Sequence, residues 1–474
     1  MMKKITCIIF ALSVFLGTAA QDGNWYYTHP TATPGKPKFT PGERMVFTLK
    51  NTLDISRENC PVIIPREGFP VPDIHEMWIT VVDPGLPPYE GPDEEVLKVY
   101  GGHQLLAEAN GHAVFHQLDD LDKDGIWDEL FFQTDLAPLE EKTIYIYLGE
   151  NIQGWNKHAT HANVGSYCRH QMPFWESENI GWKIWFANAV DVFAKRKPVL
   201  MAQHLYMENL DGYGVSEINR DWGSDIQSVA GSMGGGAICL YEYPEVPDSV
   251  SLPRFTPARE KMAPAGSLWN AGQISDTRYA YEVVVNGPVR SMIKIKTMYW
   301  NSGAGSYELE QYYTVYANQS YSTCLVRYTH FQPKKAGVKM GCGIRKKPGE
   351  ESLYQEAGIL VSSGPEQIKD PENIDERAEW LIPFIGKALV VKDKYLPEYQ
   401  FTPYAGGNHT FTVTPDTANQ FEYMLFAAWS EGTVYNNQED FEAYVQKTAL
   451  EFNTPVEIAF QQLESQGFLP PGLQ

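Results

Sequence analysis

The chain is poor in most of the features that mark a reaction class outright. It holds six cysteines, one of them (Cys7) inside the N-terminal apolar run, and no CxxC pair. The other five, Cys60, Cys168, Cys239, Cys324 and Cys342, fall at irregular spacing. This argues against a cysteine zinc site and against a disulfide framework, although one bridge stays open. No GxSxG elbow, HExxH helix, phosphate loop or dinucleotide fingerprint is present, so those catalytic classes are set aside and no organic cofactor is expected. The glycine-rich run 231–237, GSMGGGA, lacks the Lys-Ser/Thr of a phosphate loop and reads as a tight turn or close backbone approach. Positive charge is scarce: the formal net charge is −21, which disfavours nucleic acid and anionic membranes. No apolar run is long enough to span a membrane. No internal repeat or low-complexity tract occurs.

What is present begins with an export signal. Lys3 and Lys4 precede an apolar run from Ile5 to Leu16 and small residues ending at Ala19-Ala20. This predicts a signal peptide over 1–20 and a periplasmic or secreted protein. Aromatic residues are abundant, with 27 Tyr and 12 Trp, as in all-β sugar-handling proteins. Short alternating segments such as MVFTLKNTL, EMWITVVD and TIYIYLG predict an N-terminal β-sandwich over 21–155. A polar, histidine-rich connection from His158 to Glu178 marks the boundary, and a second domain is expected over 160–470. GWKIWFANAVDVFA (181–194) reads as one strand covered on both faces. Four long segments between 279 and 331, joined by hairpin turns, predict a broad antiparallel sheet. Residues 437–465 read as helical, with Asn437 as cap and Phe441, Tyr444, Val445 and Leu450 on one stripe.

Three regions carry candidate chemistry. The first is Gly212 to Gly236, which gathers Tyr213, Glu217, Arg220, Asp221, Trp222 and Asp225 in one interval. Charged and aromatic groups on a loop held by a rigid scaffold make a binding or catalytic site, and the alternative is loop caps around a core tryptophan. The second is DLDKDGIWDE, where Asp120, Asp122, Asp124 and Asp128 occupy loop positions 1, 3, 5 and 9 with Gly125 at position 6. Hard cations take converging carboxylate oxygens, so the spacing predicts a structural calcium ion, against a solvated acidic hairpin. The third is the strand 289–300, whose alternation places Arg290, Lys294 and Lys296 on one face. That row either holds an anionic ligand such as a uronate or pairs with Glu308 and Glu310. The basic GIRKK cluster (343–347) reads as a surface turn. Of the eleven histidines, His204, His330 and His409 lie in or beside predicted strands, and His204 is the preferred catalytic candidate because it precedes the 212–236 loop.

The motif D124-G-x-x-D128-E129, the strand ending at Lys195, the core D221-W222-G-x-D225 with its glycine tail, and FAAW ending at Trp429 together resemble the domain-of-unknown-function family 4861. The resemblance covers most of the mature chain. It implies an all-β fold: an N-terminal β-sandwich, then a large galactose-mutarotase-like antiparallel β-supersandwich with a C-terminal helix. It also implies a carbohydrate-active protein of polysaccharide-utilisation loci, with a relative acting as a dehydratase on terminal uronic acids. On this reading the expected function is a lyase or dehydratase. His204 or Tyr213 serves as base or acid, Arg220 and Arg290 as a carboxylate clamp, and Asp221 and Asp225 orient them. Trp222, Glu217, Lys294 and His330 contact the sugar. The alternatives are a glycoside hydrolase using Glu217, Asp221 and Asp225, and a non-catalytic glycan-binding protein. The expected partner is an oligosaccharide or polysaccharide, and the oligomeric state stays open.

Overall fold

A computed structural model describes residues 43–465 apart from 72, 77, 87–111, 150–156, 168–169, 186–188, 209–217, 220–221, 228, 230–231, 244, 247–248, 254–276, 303 and 370–378. Tyr213, Glu217, Arg220, Asp221, Cys168 and the signal segment lie outside the described residues.

The all-β expectation holds. Two sheets form the first sandwich. One has five strands in the order Glu457–Ser465, Glu43–Lys50, Glu141–Gly149, Trp78–Asp83 and His112–Ala113. The other has three: Arg57–Pro65, Glu129–Leu136 and His116–Asp119. Alternation turns Met45, Phe47, Leu49, Ile144 and Ile146 onto Val62, Ile64, Leu130 and Phe132, and these residues make one buried core.

The second unit is built on an eight-stranded antiparallel sheet. Arg278–Asn286, Arg290–Asn301, Gly305–Tyr316 and Tyr321–Pro333 are consecutive neighbours in it, as the hairpin signals predict. Gln420–Trp429, Glu379–Val391, Ile359–Lys369 and Ser352–Glu356 complete it. A six-stranded and a four-stranded sheet lie against its inner face. They share one apolar core, including Trp175, Trp182, Val190, Met340, Phe411, Ile293, Leu389 and Leu425. The helix Gln438–Asn453 covers part of the outer face through Phe441, Tyr444 and Val445, against Phe384, Ala388 and Phe426. This is the expected supersandwich.

Four local expectations are corrected. Residues 181–194 are a hairpin, Ile180–Trp185 with Ala189–Lys195, in which Ile180 faces Ala194. Every residue of Ala189–Lys195 is buried, so no alternation marks its ends. The expected connection 158–178 holds two strands, Thr160–Tyr167 and His170–Ser177. The helix is capped by Asn437 as predicted, through Asp440 N at 3.0 Å, but ends at Asn453, and Leu450 is 54% exposed. Glu457–Ser465 then returns as an edge strand beside Glu43–Lys50, so the last described strand pairs with the first.

Arg290 fastens the two units. Its guanidinium is 2% exposed and bonds Asp119 through Nε at 2.8 Å and through Nη2, with Glu129 at 2.9 Å. Gln117 Oε1 accepts from Val289 N and Arg290 N at 3.1 and 2.9 Å, while its Nε2 donates to Arg290 O at 3.0 Å. Burial works to lower the guanidinium pKa, but the Asp119 and Glu129 charges outweigh it and keep the group charged. Arg290 is therefore a structural ion pair rather than a substrate clamp.

Candidate functional site

The described part of the 212–236 region is scaffold. Trp222 is 3% exposed and packs on Phe193 and Leu205, while its carbonyl accepts from Arg196 N at 2.7 Å. A side chain so covered anchors the core and offers no face to a sugar, which corrects the stacking assignment. Asp225 binds Lys183 at 3.0 Å, and Lys183 also pairs with Asp191 at 3.2 Å. That network satisfies a buried lysine, so Asp225 is held in place by it. The glycine tail is close backbone approach, as read. Gly234 has φ +63° and an added Cβ would stand 2.0 Å from Val190 O; at Gly223, φ is +141° and the same distance, to Ala194 O, is 1.9 Å.

Beside these lies the pair Glu176–Lys195. Lys195 Nζ donates to Glu176 Oε2 at 2.5 Å and to the carbonyls of Ser177 and Val199, both at 2.6 Å. Met201 N and Ala202 N donate to the same carboxylate. Burial would raise the Glu176 carboxyl, but Lys195, His161 and the amide donors prevail and hold it at about 2. Every group there is satisfied, which is the mark of structure.

His204 stands in the short helix Ala202–Tyr206, its side chain 64% exposed and Nδ1 2.6 Å from Glu208. Lys294 pairs with Glu282 at 2.5 Å, so the basic row is a paired sheet face at that position, through a neighbour other than the expected Glu308 or Glu310. His330 lies opposite Glu308 in register, half-buried. The structure brings none of His204, Lys294 and His330 together.

It gathers a different set, where the glycine tail meets the edge of the four-stranded sheet. Arg345 N donates to Gly234 O at 2.8 Å, and Met233 N to Asn408 Oδ1 at 2.9 Å. The strands Glu398–Thr402 and Asn408–Val413 pair with Phe401 opposite His409, which makes Tyr399 and His409 diagonal neighbours. Tyr399 Oη lies 2.9 Å from His409 Nδ1, and His409 Nε2 lies 2.9 Å from Glu350 Oε2. Ser362 donates to that oxygen at 2.6 Å. Burial lowers the His409 pKa against the opposing pull of Glu350, which favours the neutral ring. A neutral ring has one N–H. Glu350, as an acceptor, takes it from Nε2, which leaves Nδ1 to accept from Tyr399.

Basic groups surround this chain of hydrogen bonds. Arg345 and Lys347 approach Glu366 at 3.7 and 3.6 Å. Lys347 is buried and donates to Gly364 O and Ile385 O at 2.7 and 2.9 Å, which corrects the surface-turn reading of GIRKK. Lys387 is 1% exposed and donates to Arg345 O at 3.3 Å. Burial brings Lys347 down to about 8 and Lys387 to about 7. Lys346 lies over the half-exposed Phe401 ring, 5.8 Å from its centroid. Perturbed groups with specific charge partners cluster at functional sites. Tyr399, Glu350 and Arg345 are the partly exposed members of this cluster.

The acidic loop is a second candidate. Carboxylate oxygens of Asp120, Asp122 and Asp124 lie within 4.8 Å of one another. Gly125 (φ +92°) and Lys123 (φ +65°) make the turn, and Asp120 caps Lys123 N and Gly125 N at 2.7 and 3.0 Å. Three converging carboxylate oxygens supply part of the oxygen shell a hard cation takes. Asp128 is outside the group and accepts instead from Leu121 N at 2.7 Å, so the expected ligand set shrinks to three side chains. Lys123 Nζ donates to Val284 O, which ties the loop to the large sheet.

Among the described residues no helix is long and apolar enough to cross a membrane. No curated protein matches the chain. Similar solved structures include a protein in the glycosyl hydrolase family 38 from Enterococcus faecalis, at 10% identity and TM-score 0.44 over 88% of this chain. An alpha-mannosidase from Enterococcus faecalis V583 matches at 10% identity and TM-score 0.41 over 91%. In each case 47% of the other chain is covered, so this chain spans about half the length of the structures it matches. The family model described as "Domain of unknown function (DUF4861)" matches residues 49–458, and the chain belongs to that family.

Proposed function

We propose that this protein is an exported carbohydrate-active enzyme that eliminates beside the carboxylate of uronate-containing oligosaccharides. The observation that carries the reading is the Tyr399–His409–Glu350 chain of hydrogen bonds set among Arg345, Lys346, Lys347 and Lys387. Elimination needs a base for the C5 proton, cations to stabilise the carboxylate-linked negative charge that develops, and an acid for the leaving oxygen.

In this scheme Arg345 and Lys346 bind the substrate carboxylate. The C5 proton passes to the Tyr399 oxygen as the Tyr399 proton passes to His409 Nδ1, and Glu350 stabilises the imidazolium. The C5–H electron pair becomes the C4–C5 double bond as the C4–O bond breaks. The proton held on the relay returns to the leaving oxygen, so neither oxidant nor reductant is consumed. A leaving hydroxyl makes the reaction a dehydration, and a leaving sugar makes it chain cleavage. Arg220 is proposed as a further carboxylate ligand on its sequence context alone, and Arg220→Ala tests that. We also propose that Asp120, Asp122 and Asp124 hold calcium as a staple between the acidic loop and the large sheet.

The test is to incubate the purified protein with uronate oligosaccharides and follow the ultraviolet absorbance of an unsaturated product. New reducing ends without that absorbance favour a hydrolase, and binding without turnover favours a glycan-binding protein.

A further inference from the structure

Glu242 follows the strand Ala237–Tyr241 and is fully buried. Its Oε1 accepts the hydroxyl protons of Ser302 and Tyr307, each at 2.6 Å. Its Oε2 is closed off from solvent and meets no hydrogen-bond donor among the described residues. The Tyr328 hydroxyl is likewise buried with no hydrogen-bond partner among the described residues. Aromatic rings pack the surroundings: Trp300 lies 5.1 Å and Phe331 5.3 Å from Tyr307, and Tyr328 lies 5.4 Å from Phe331. Lys335, in the turn beyond these strands, pairs with exposed Glu245 and leaves Glu242 alone.

A buried carboxylate costs several kcal/mol unless donors or a cation compensate it. Ser302 and Tyr307 serve one oxygen, and no described residue serves the other. We infer that Glu242 Oε2 and the Tyr328 hydroxyl bind a monovalent cation, either an alkali-metal ion or the protonated amine of a ligand. One carboxylate matches one positive charge. Calcium would take about six to eight oxygens, far more than these side chains supply. Weakly hydrated single charges are also the cations that aromatic surroundings favour. This site shares no residue with the Tyr399 relay or the Asp120 loop, and it stands whether or not the protein catalyses elimination.

The melting temperature of the full protein, measured in chelator at equal ionic strength in choline, potassium and methylammonium chlorides, tests the inference. Choline is the reference, being too bulky for a site enclosed this closely. The expected result is a saturable rise in Tm with potassium, methylammonium or both, lost in Glu242→Gln and kept in Glu245→Gln. A response to potassium alone identifies a metal ion, and a response to methylammonium alone identifies an amine. Should Glu242→Gln not fold, Tyr328→Phe removes one hydroxyl and must raise the cation concentration needed for half the shift. Identical Tm in all three salts, or a shift that survives in a folded Glu242→Gln or is unchanged in Tyr328→Phe, overturns the inference.

Discussion

Tyr399 and His409 are diagonal neighbours across an antiparallel strand pair, and the Tyr399 hydroxyl lies 2.9 Å from Nδ1 of His409. The direction of that bond follows from the other side of the ring, where Glu350 takes the single N–H of a neutral imidazole. A tyrosine oxygen backed by an unprotonated histidine can receive a proton while giving one up.

Lys387 sets a pH signature. Its folded value of about 7 lies below the usual 10.5 because of burial. Between those values the unfolded chain binds a proton that the folded protein does not, so stability rises with pH across that window. Replacing the lysine by methionine removes much of the slope and raises Tm at neutral pH. Lys347, at about 8, retains a smaller slope of the same sign. Tm measured from pH 7 to 10 checks this, and an unchanged slope in Lys387→Met contradicts it.

Glu176 acts in the opposite range. Its carboxyl is held at about 2 against a usual 4.5, so its contribution is present above 4.5 and is lost as pH falls toward 2. Glu176→Gln also leaves Lys195 buried without its counter-ion. We expect a loss of about 3–5 kcal/mol at pH 7, read by urea denaturation, and a stability profile that falls less steeply below pH 4.5.

Arg290 joins the first sandwich to the large sheet, so Arg290→Met strands Asp119 and is expected to lose about 3–5 kcal/mol. Substrate KM, measured well below the melting transition, stays unchanged. A raised KM with unaltered stability would restore the clamp role that its burial removes.

Calcium at the acidic loop makes Tm depend on chelator. Wild type is expected to melt lower without calcium, and Asp122→Ala to melt at the same temperature with and without it. Asp128→Asn, outside the converging three, keeps the calcium response. A chelator-insensitive wild type ends the staple proposal.

Much of the fold was legible because solvated or half-buried strands alternate, as in the four long segments between 279 and 331. The hairpin at 181–194 was not, since burial on both faces erases the period that would show its turn. Glu457–Ser465, helical by sequence pattern, is an edge strand with Phe460 and Leu463 exposed, so its apolar residues do not report one face. The site was harder to see. Tyr399, His409 and Glu350 come from separate segments with no motif spacing, and only the pairing of two strands and a loop brings them together. His409 is one of eleven histidines, and nothing in the sequence sets it above His204. Trp222 and Arg290 have the composition of a sugar site, and only burial shows that they hold the core. The glycine tail of the 212–236 stretch lies against Arg345 and Asn408.

The central claim is that the Tyr399–His409 pair moves the proton in an elimination. Its most direct test is the rate at which unsaturated product appears from a uronate-terminated oligosaccharide, with wild type and Tyr399→Phe side by side. The account predicts absorbance growth by wild type and a loss of about 10²–10⁴-fold in kcat for the variant, with Tm little changed. Unsaturated product formed equally fast by Tyr399→Phe, or none formed by wild type from any uronate substrate, would contradict it.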